Sequence, residues 1–271
     1  MLSDTKEGFN FHYEPRFDPL HEGRVADVPE EVMDHIPKDS FIWNDVGLPD
    51  FQSSLLTYWR NCLALGRRLI QLLALGLELP EDYFDKVTTY PGADCTLNFY
   101  PGHGETPIAE REDIGLGAHT DLQILTILWQ SNERGLQVLN AKNEWVFAPP
   151  IPNTFVVNIG DFLMRLTNDR LKSTVHRVIQ HSKYDRYSMP VFFGNVLPLH
   201  YLAGFLTSIL LKDSTSMKNA GWFRLVLMKI IQQNTNLPDV ERCAHSQCQT
   251  SSLVADVSSS LPNALQLSKQ I

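Results

Sequence analysis

"GAHTDLQIL", residues 117–125, places His119 and Asp121 two positions apart in an apolar setting. In an extended chain, positions i and i+2 lie on the same face. The stretch therefore reads as a strand that presents an imidazole and a carboxylate side by side, able to chelate one metal ion. A third ligand has to come from elsewhere. "STVHRVIQ" (173–180) is a second strand-like run, and it offers His176. Two histidines and one carboxylate form a facial triad that leaves positions open on an octahedral iron(II). Zinc competes for such donors, but its sites are usually built around a single activated water.

Downstream, "DRYSMP" (185–190) carries Arg186 and Ser188, again two apart. A planar guanidinium beside a hydroxyl suits a carboxylate. Arg186 follows His176 by ten residues, so a hairpin is expected to bring it to the inward face of the next strand. Tyr100, in "LNFYPG", adds a further hydroxyl. A carboxylate anchor beside an open iron site points to a keto-acid cosubstrate, chelating the metal at one end and held at the other. An H-x-D triplet alone is weak, and an isolated histidine on an apolar strand is more often packed core. The order His119, Asp121, His176, Arg186, Ser188 within strand-like segments carries the reading.

Those segments set the fold class. From Asp94 onward, "CTLNFY", "LGAHTDLQIL", "LQVLN", "WVFAP", "TFVVNIG", "STVHRVIQH" and "YSMPVFFG" are short and rich in β-branched and aromatic residues. Turn signals such as "NERG", "AKNE" and "PIPN" separate them. Many short strands at this spacing predict a sandwich or barrel. Residues 162–168 are expected to interrupt them as a short helix or turn. Upstream, Leu55, Leu56, Trp59, Leu63, Leu69, Ile70 and Leu73 recur at helical spacing, so a helix is expected from a cap at Asp50 to about Leu75. Residues 1–48 read as irregular chain. Beyond Asn195, "WFRLVLMKIIQQ" reads as an amphipathic helix and the Ser-rich end as disordered. The expected organisation is an N-terminal segment with the long helix (1–93), a β core (94–194) and a divergent C-terminal part (195–271).

The totals exclude several function classes. The 271 residues are 43% hydrophobic and 20% charged, enough apolar material for a sizeable core. A net charge of −8 repels phosphate backbones and anionic lipid, so neither nucleic acid nor a membrane surface is an expected partner. No apolar run reaches the length of a membrane span, and the start has no secretory pattern. Four cysteines are too few for a disulfide framework and fit a reducing, cytoplasmic setting. Cys243, His245 and Cys248 lie close together, but no second ligand pair follows, so they read as scattered tail residues. His103 and His181 are read as surface histidines and Asp161 as a turn residue that supports the site. A monomer is expected.

The stretches "LNFYPG", "GLGAHTDLQILTIL", "GLQVL", "NTFVVNIGDFLMRLTNDRLKSTVHRV" and "RYSMPVFFG", with "KEGFNFHYEP" near the start, resemble the iron(II)- and 2-oxoglutarate-dependent dioxygenases of the isopenicillin N synthase-like type. The resemblance implies a double-stranded β-helix, or jelly roll, with the long helix laid across it. It implies His119, Asp121 and His176 as iron ligands, and Arg186 and Ser188, assisted by Tyr100, on the far carboxylate of 2-oxoglutarate. It implies an enzyme that uses Fe(2+), 2-oxoglutarate and dioxygen to hydroxylate, desaturate or cyclise a small organic molecule, in secondary metabolism. It also implies a chain shortened ahead of "KEGF" and divergent after residue 194. Two alternatives stay open: an iron oxidase of the same family that needs no 2-oxoglutarate, and a truncated, non-catalytic product that keeps the metal site.

Overall fold

A computed structural model describes residues 6–36, 43, 48–104 and 114–194. The helix and Ser-rich tail expected within 195–271, and the group of Cys243, His245 and Cys248, lie outside the described residues.

Period-two alternation sorts the strands' side chains onto two faces. One sheet has the order β1 (Glu7–Phe11), β2 (Asp94–Tyr100), β9 (Arg186–Phe193), β4 (Leu125–Gln130) and β7 (Val156–Ile159). The other runs β3 (Ile114–His119), β8 (His176–Ile179), β5 (Leu136–Leu139) and β6 (Trp145–Phe147). Every pairing is antiparallel. The two sheets wall a common cavity and form a double-stranded β-helix core with flanking helices, the fold that the family resemblance implied and one form of the barrel that the strand pattern predicted.

In the larger sheet, Cys95 and Leu97 of β2, Leu125 and Ile127 of β4, and Val191 and Phe193 of β9 are buried in the main hydrophobic core. Their alternate neighbours Thr96, Asn98, Tyr100, Thr126, Leu128, Arg186, Ser188, Pro190 and Phe192 line the cavity. One strand thus serves packing with one set of residues and chemistry with the other.

The core face is covered by a long helix, α2 (Phe51–Gly76), which lies in the chain between two one-turn helices, α1 (Glu30–Met33) and α3 (Asp85–Thr88). Leu55, Trp59, Leu63, Leu69 and Ile70 are fully buried along its inner stripe. Each side chain of this size contributes roughly 1.5–3 kcal/mol on burial. Two hydrogen bonds fix the helix to the sheet. The Trp59 indole N–H donates to the Ala93 carbonyl at 2.6 Å, and the Tyr58 hydroxyl donates to the Met189 carbonyl at 2.8 Å. Asp50 holds the N-cap position, yet its side chain makes no capping bond. Instead its backbone carbonyl accepts from the Ser53 hydroxyl at 3.1 Å. The helix ends where Glu78 takes a left-handed φ of 61° and the Leu79 N–H reaches back to the Ala74 carbonyl at 2.9 Å. Among the described residues, no helix is long and apolar enough to cross a membrane.

One expectation needs correction. Residues 1–48 read as irregular, but Glu7–Phe11 is a regular strand, antiparallel to β2. The physical reason is aromatic. Phe9 lies 5.1 Å from the Phe51 ring and Phe11 6.0 Å from the Trp59 ring. Only strand alternation brings both phenylalanines to the same side of the sheet.

Candidate functional site

His119 is the last residue of β3, and His176 is the first of β8. The two are direct cross-strand partners, with ring centroids 4.3 Å apart. Each ring is oriented from behind by its own chain. Nδ1 of His119 lies 2.8 Å from the Gly117 carbonyl, and Nδ1 of His176 lies 3.0 Å from the Thr174 carbonyl. A carbonyl only accepts, so Nδ1 is the protonated nitrogen in both rings and the Nε2 lone pairs point inward. They face Oδ1 of Asp121 at 3.7 Å and 3.6 Å. One donor atom from each of the three residues falls within 4.8 Å of the others, close enough to share one metal ion.

Asp121 reaches this position by a route the sequence reading did not anticipate. It does not sit on the strand with His119, because β3 ends at His119 and β4 begins at Leu125. The intervening loop is held by the end of β7 and the start of α4 (Asp161–Leu166). The Asp161 N–H donates to the Asp121 carbonyl at 2.7 Å, and the Thr120 hydroxyl donates to the Asp161 carboxylate at 3.0 Å. Gly160 sits under the loop so closely that a Cβ there would collide with the Gln123 carbonyl. The sequence reads Asp161 as a turn residue supporting the site; it opens α4 instead, and its contacts support the Asp121 loop.

The Asp121 side chain is then aimed by two residues that the sequence reading missed. The Thr126 hydroxyl and the Asn158 amide both donate to Oδ2, at 2.5 Å and 2.8 Å. That occupies Oδ2 and leaves Oδ1 facing the histidines. A signal was present: each is a lone polar residue inside an apolar strand, "ILTIL" and "FVVNIG". Exposure across the cluster is uneven: the His119 side chain is 35% exposed, that of His176 14% and that of Asp121 5%.

Farther along the cavity, Tyr100 pairs with Arg186 and Asn98 with Ser188 across β2 and β9. Arg186, Ser188 and Tyr100 are all buried. The guanidinium carbon lies 5.0 Å from the centre of the Tyr100 ring. Nη2 donates to the Gln130 side chain at 3.0 Å. Nε and Nη1, like Nε2 of Gln130, are buried and meet no acceptor among the described residues. Burial pushes the guanidinium below its ordinary value, opposed by the nearby Tyr100 hydroxyl. An arginine nonetheless stays charged at neutral pH. Gly135 makes room for it, since a Cβ there would stand 2.8 Å from Cδ and 3.0 Å from Nε.

The hairpin expected between His176 and Arg186 is absent. β8 and β9 belong to opposite sheets, and the intervening loop carries the chain from one wall of the cavity to the other. Arg186 and the histidines thus face the same space from opposite sides. His181 is exposed, as expected. His103 is half-buried, with Nε2 2.8 Å from the Gln180 carbonyl.

A double-stranded β-helix with two histidines and a carboxylate converging between its sheets defines the class of non-haem iron oxygenases. Residues 92–195 match the model of the 2OG-Fe(II) oxygenase superfamily, and the chain carries a domain of that superfamily. It is 42% identical over 199 residues to a 2-oxoglutarate-Fe(II) type oxidoreductase, ppzC, of Metarhizium majus, covering 71% of this chain and 53% of that one. It is 33% identical over 183 residues to the homoarginine-6-hydroxylase 2-ODD-233 of rice, covering 65% and 53%. Among solved structures, a full-length Neurospora crassa protein in complex with alpha-KG and thymine superposes with a TM-score of 0.58 at 29% identity, over 72% of this chain and 55% of that one. The chain therefore spans about half the length of the curated relatives it matches.

Proposed function

We propose that the protein is an iron(II)- and 2-oxoglutarate-dependent oxygenase acting on a small organic molecule. The observation that carries this reading is a paired one: a His119–Asp121–His176 donor set, and a buried guanidinium in the same cavity whose Nε and Nη1 meet no acceptor among the described residues. A buried cation with idle donors is costly unless an anion completes it. The far carboxylate of 2-oxoglutarate has the charge and the planar geometry to do so. The relatives named as 2-oxoglutarate-Fe(II) oxidoreductases, and the Neurospora crassa structure holding alpha-KG, support the same cosubstrate.

In this reading His119, Asp121 and His176 hold iron(II), while Arg186, Ser188 and Tyr100 hold 2-oxoglutarate. Iron with 2-oxoglutarate supplies dioxygen activation and the oxidation of a C–H bond. The chain supplies orientation and exclusion of water. Backbone carbonyls keep both Nδ1 atoms protonated, so Nε2 is the coordinating nitrogen. Thr126 and Asn158 hold Asp121 with Oδ1 inward. Leu128, Val156, Pro190 and Phe192 give the cavity apolar walls.

The test is anaerobic addition of iron(II) and 2-oxoglutarate. A weak visible charge-transfer band is expected, followed by succinate on admitting air. A folded protein that forms no such band overturns the reading; turnover of a substrate without succinate would favour the iron oxidase that needs no keto acid. A second expected outcome concerns the aiming of Asp121. Asn158→Ala removes one of the two donors to Oδ2, and metal affinity should fall about 10- to 100-fold. Competition against a chromophoric chelator measures it. An unchanged affinity would show that Thr126 suffices.

A further inference from the structure

Arg186 is held in place by a neutral partner. Oε1 of Gln130, the last residue of β4, accepts from Nη2 at 3.0 Å. Chemistry fixes which end of the amide faces the guanidinium, because an arginine only donates and an amide oxygen only accepts. Gln130 stands directly opposite Ser188 across β4 and β9, and Ser188 stands opposite Asn98 across β9 and β2. Alternation puts Gln130 on the same face as Thr126 and Leu128, which line the cavity. It therefore meets Arg186 from the β4 side, as Tyr100 does from the β2 side.

Among the described residues, no carboxylate pairs with Arg186. Nε and Nη1 of Arg186 and Nε2 of Gln130 are buried without an acceptor there, and all three are donors. What this corner of the cavity lacks is an acceptor, and a carboxylate brings several. A glutamate at 130 would fill the same space and accept the same hydrogen bond, but it would also cancel the guanidinium charge. A glutamine orients the planar fork and leaves its charge for a ligand. We propose, resting on the function above, that Gln130 is a positioning residue for the cosubstrate. Its side-chain carbonyl fixes the Arg186 fork without neutralising it, and this lets the cavity select a keto diacid over a keto monoacid.

The experiment loads the full chain anaerobically with iron(II) and titrates it, on the visible band, with 2-oxoglutarate or with 2-oxopentanoate. The second acid has the same keto-acid end and carries a methyl group in place of the far carboxylate. The unsubstituted protein is expected to bind 2-oxoglutarate at least about tenfold tighter, the size of one hydrogen bond to a charged group. Gln130→Glu should bring that ratio to about one by weakening 2-oxoglutarate alone, with the unfolding midpoint of the keto-acid-free protein equal or higher. Gln130→Met loosens the fork but keeps its charge, so the ratio should fall by only about threefold, the size of one neutral hydrogen bond. Neither variant should change the affinity for 2-oxopentanoate. A glutamine that serves structure alone predicts the reverse order. Gln130→Glu, which keeps the acceptor, would then match the unsubstituted protein, and Gln130→Met would weaken both keto acids together. Either result overturns the inference. If Gln130→Glu does not fold, Gln130→Met decides: an unchanged ratio overturns the inference, and a lowered ratio with 2-oxopentanoate affinity intact upholds it. An unsubstituted protein that forms no band with either acid fails the proposed function itself. One that prefers the diacid, with variants that leave the ratio unmoved, fails only this inference.

Discussion

His176→Ala is expected to abolish iron binding, with affinity falling by more than the roughly 100-fold that supporting partners of a metal ligand cost. The reason is geometric. The cluster has one donor atom from each of three residues, and no further histidine, cysteine or carboxylate joins them among the described residues. Removing one leaves His119 and Asp121, which together cannot close a facial set. The substitution should disturb the fold little. His176 opens β8 between β3 and β5, and its backbone pairing survives truncation of the ring. Its side chain is 14% exposed, so the cavity left behind borders solvent and not the hydrophobic core. The measurement is metal content by elemental analysis, alongside the unfolding midpoint of the metal-free protein. Iron retained in stoichiometric amount by His176→Ala would refute the site. Metal lost together with the folded state would call for His176→Gln, which keeps the ring's volume more nearly.

The candidate metal donors and the Arg186 anchor were legible in the sequence, but Thr126, Asn158 and the way the cluster is assembled were not. Alternation in "RYSMPVFF" placed Arg186 and Ser188 together on an inward face, as the cavity lining has them, because a buried sheet face enforces period two. The same logic was applied to "GAHTDLQIL" and gave the right pair for a wrong reason. Asp121 lies beyond the strand, and it comes near His119 because Gly160 and Asp161, some forty residues downstream in the chain, clamp its loop. Nothing local to residues 117–125 encodes that clamp. The supposed hairpin at 176–186 failed for a related reason. Sheet membership depends on which neighbour completes each strand's hydrogen bonds, and a ten-residue separation fits a turn or a crossing equally well. The strand at Glu7–Phe11 was missed because its alternation is carried by just two aromatics, whose partners Phe51 and Trp59 lie on the long helix.

Arg186→Met is expected to separate binding from stability in opposite directions. In the protein without cosubstrate, the guanidinium is almost fully buried, and among the described residues only its Nη2 finds a hydrogen-bond acceptor. Such a group costs more in lost hydration than it gains, and an apolar residue of similar length is often neutral or stabilising by about 1–4 kcal/mol. The cosubstrate-free variant should therefore unfold at an equal or higher denaturant concentration than the unsubstituted protein. Its affinity for 2-oxoglutarate should fall at least about 100-fold, since a buried charge-assisted pair is lost entirely. Adding 2-oxoglutarate with the metal should then stabilise the unsubstituted protein and leave the variant unmoved, because a ligand stabilises only the state it binds. Lys at this position should not rescue, as an ammonium lacks the planar fork that reaches both carboxylate oxygens. The converse pattern, a destabilised variant that still binds 2-oxoglutarate, would mean that Arg186 is a structural cation and that the keto acid is anchored elsewhere in the cavity. A cation kept buried at a cost to stability is the mark of a residue retained for what it binds, and that is the sense in which this cavity reads as an active site.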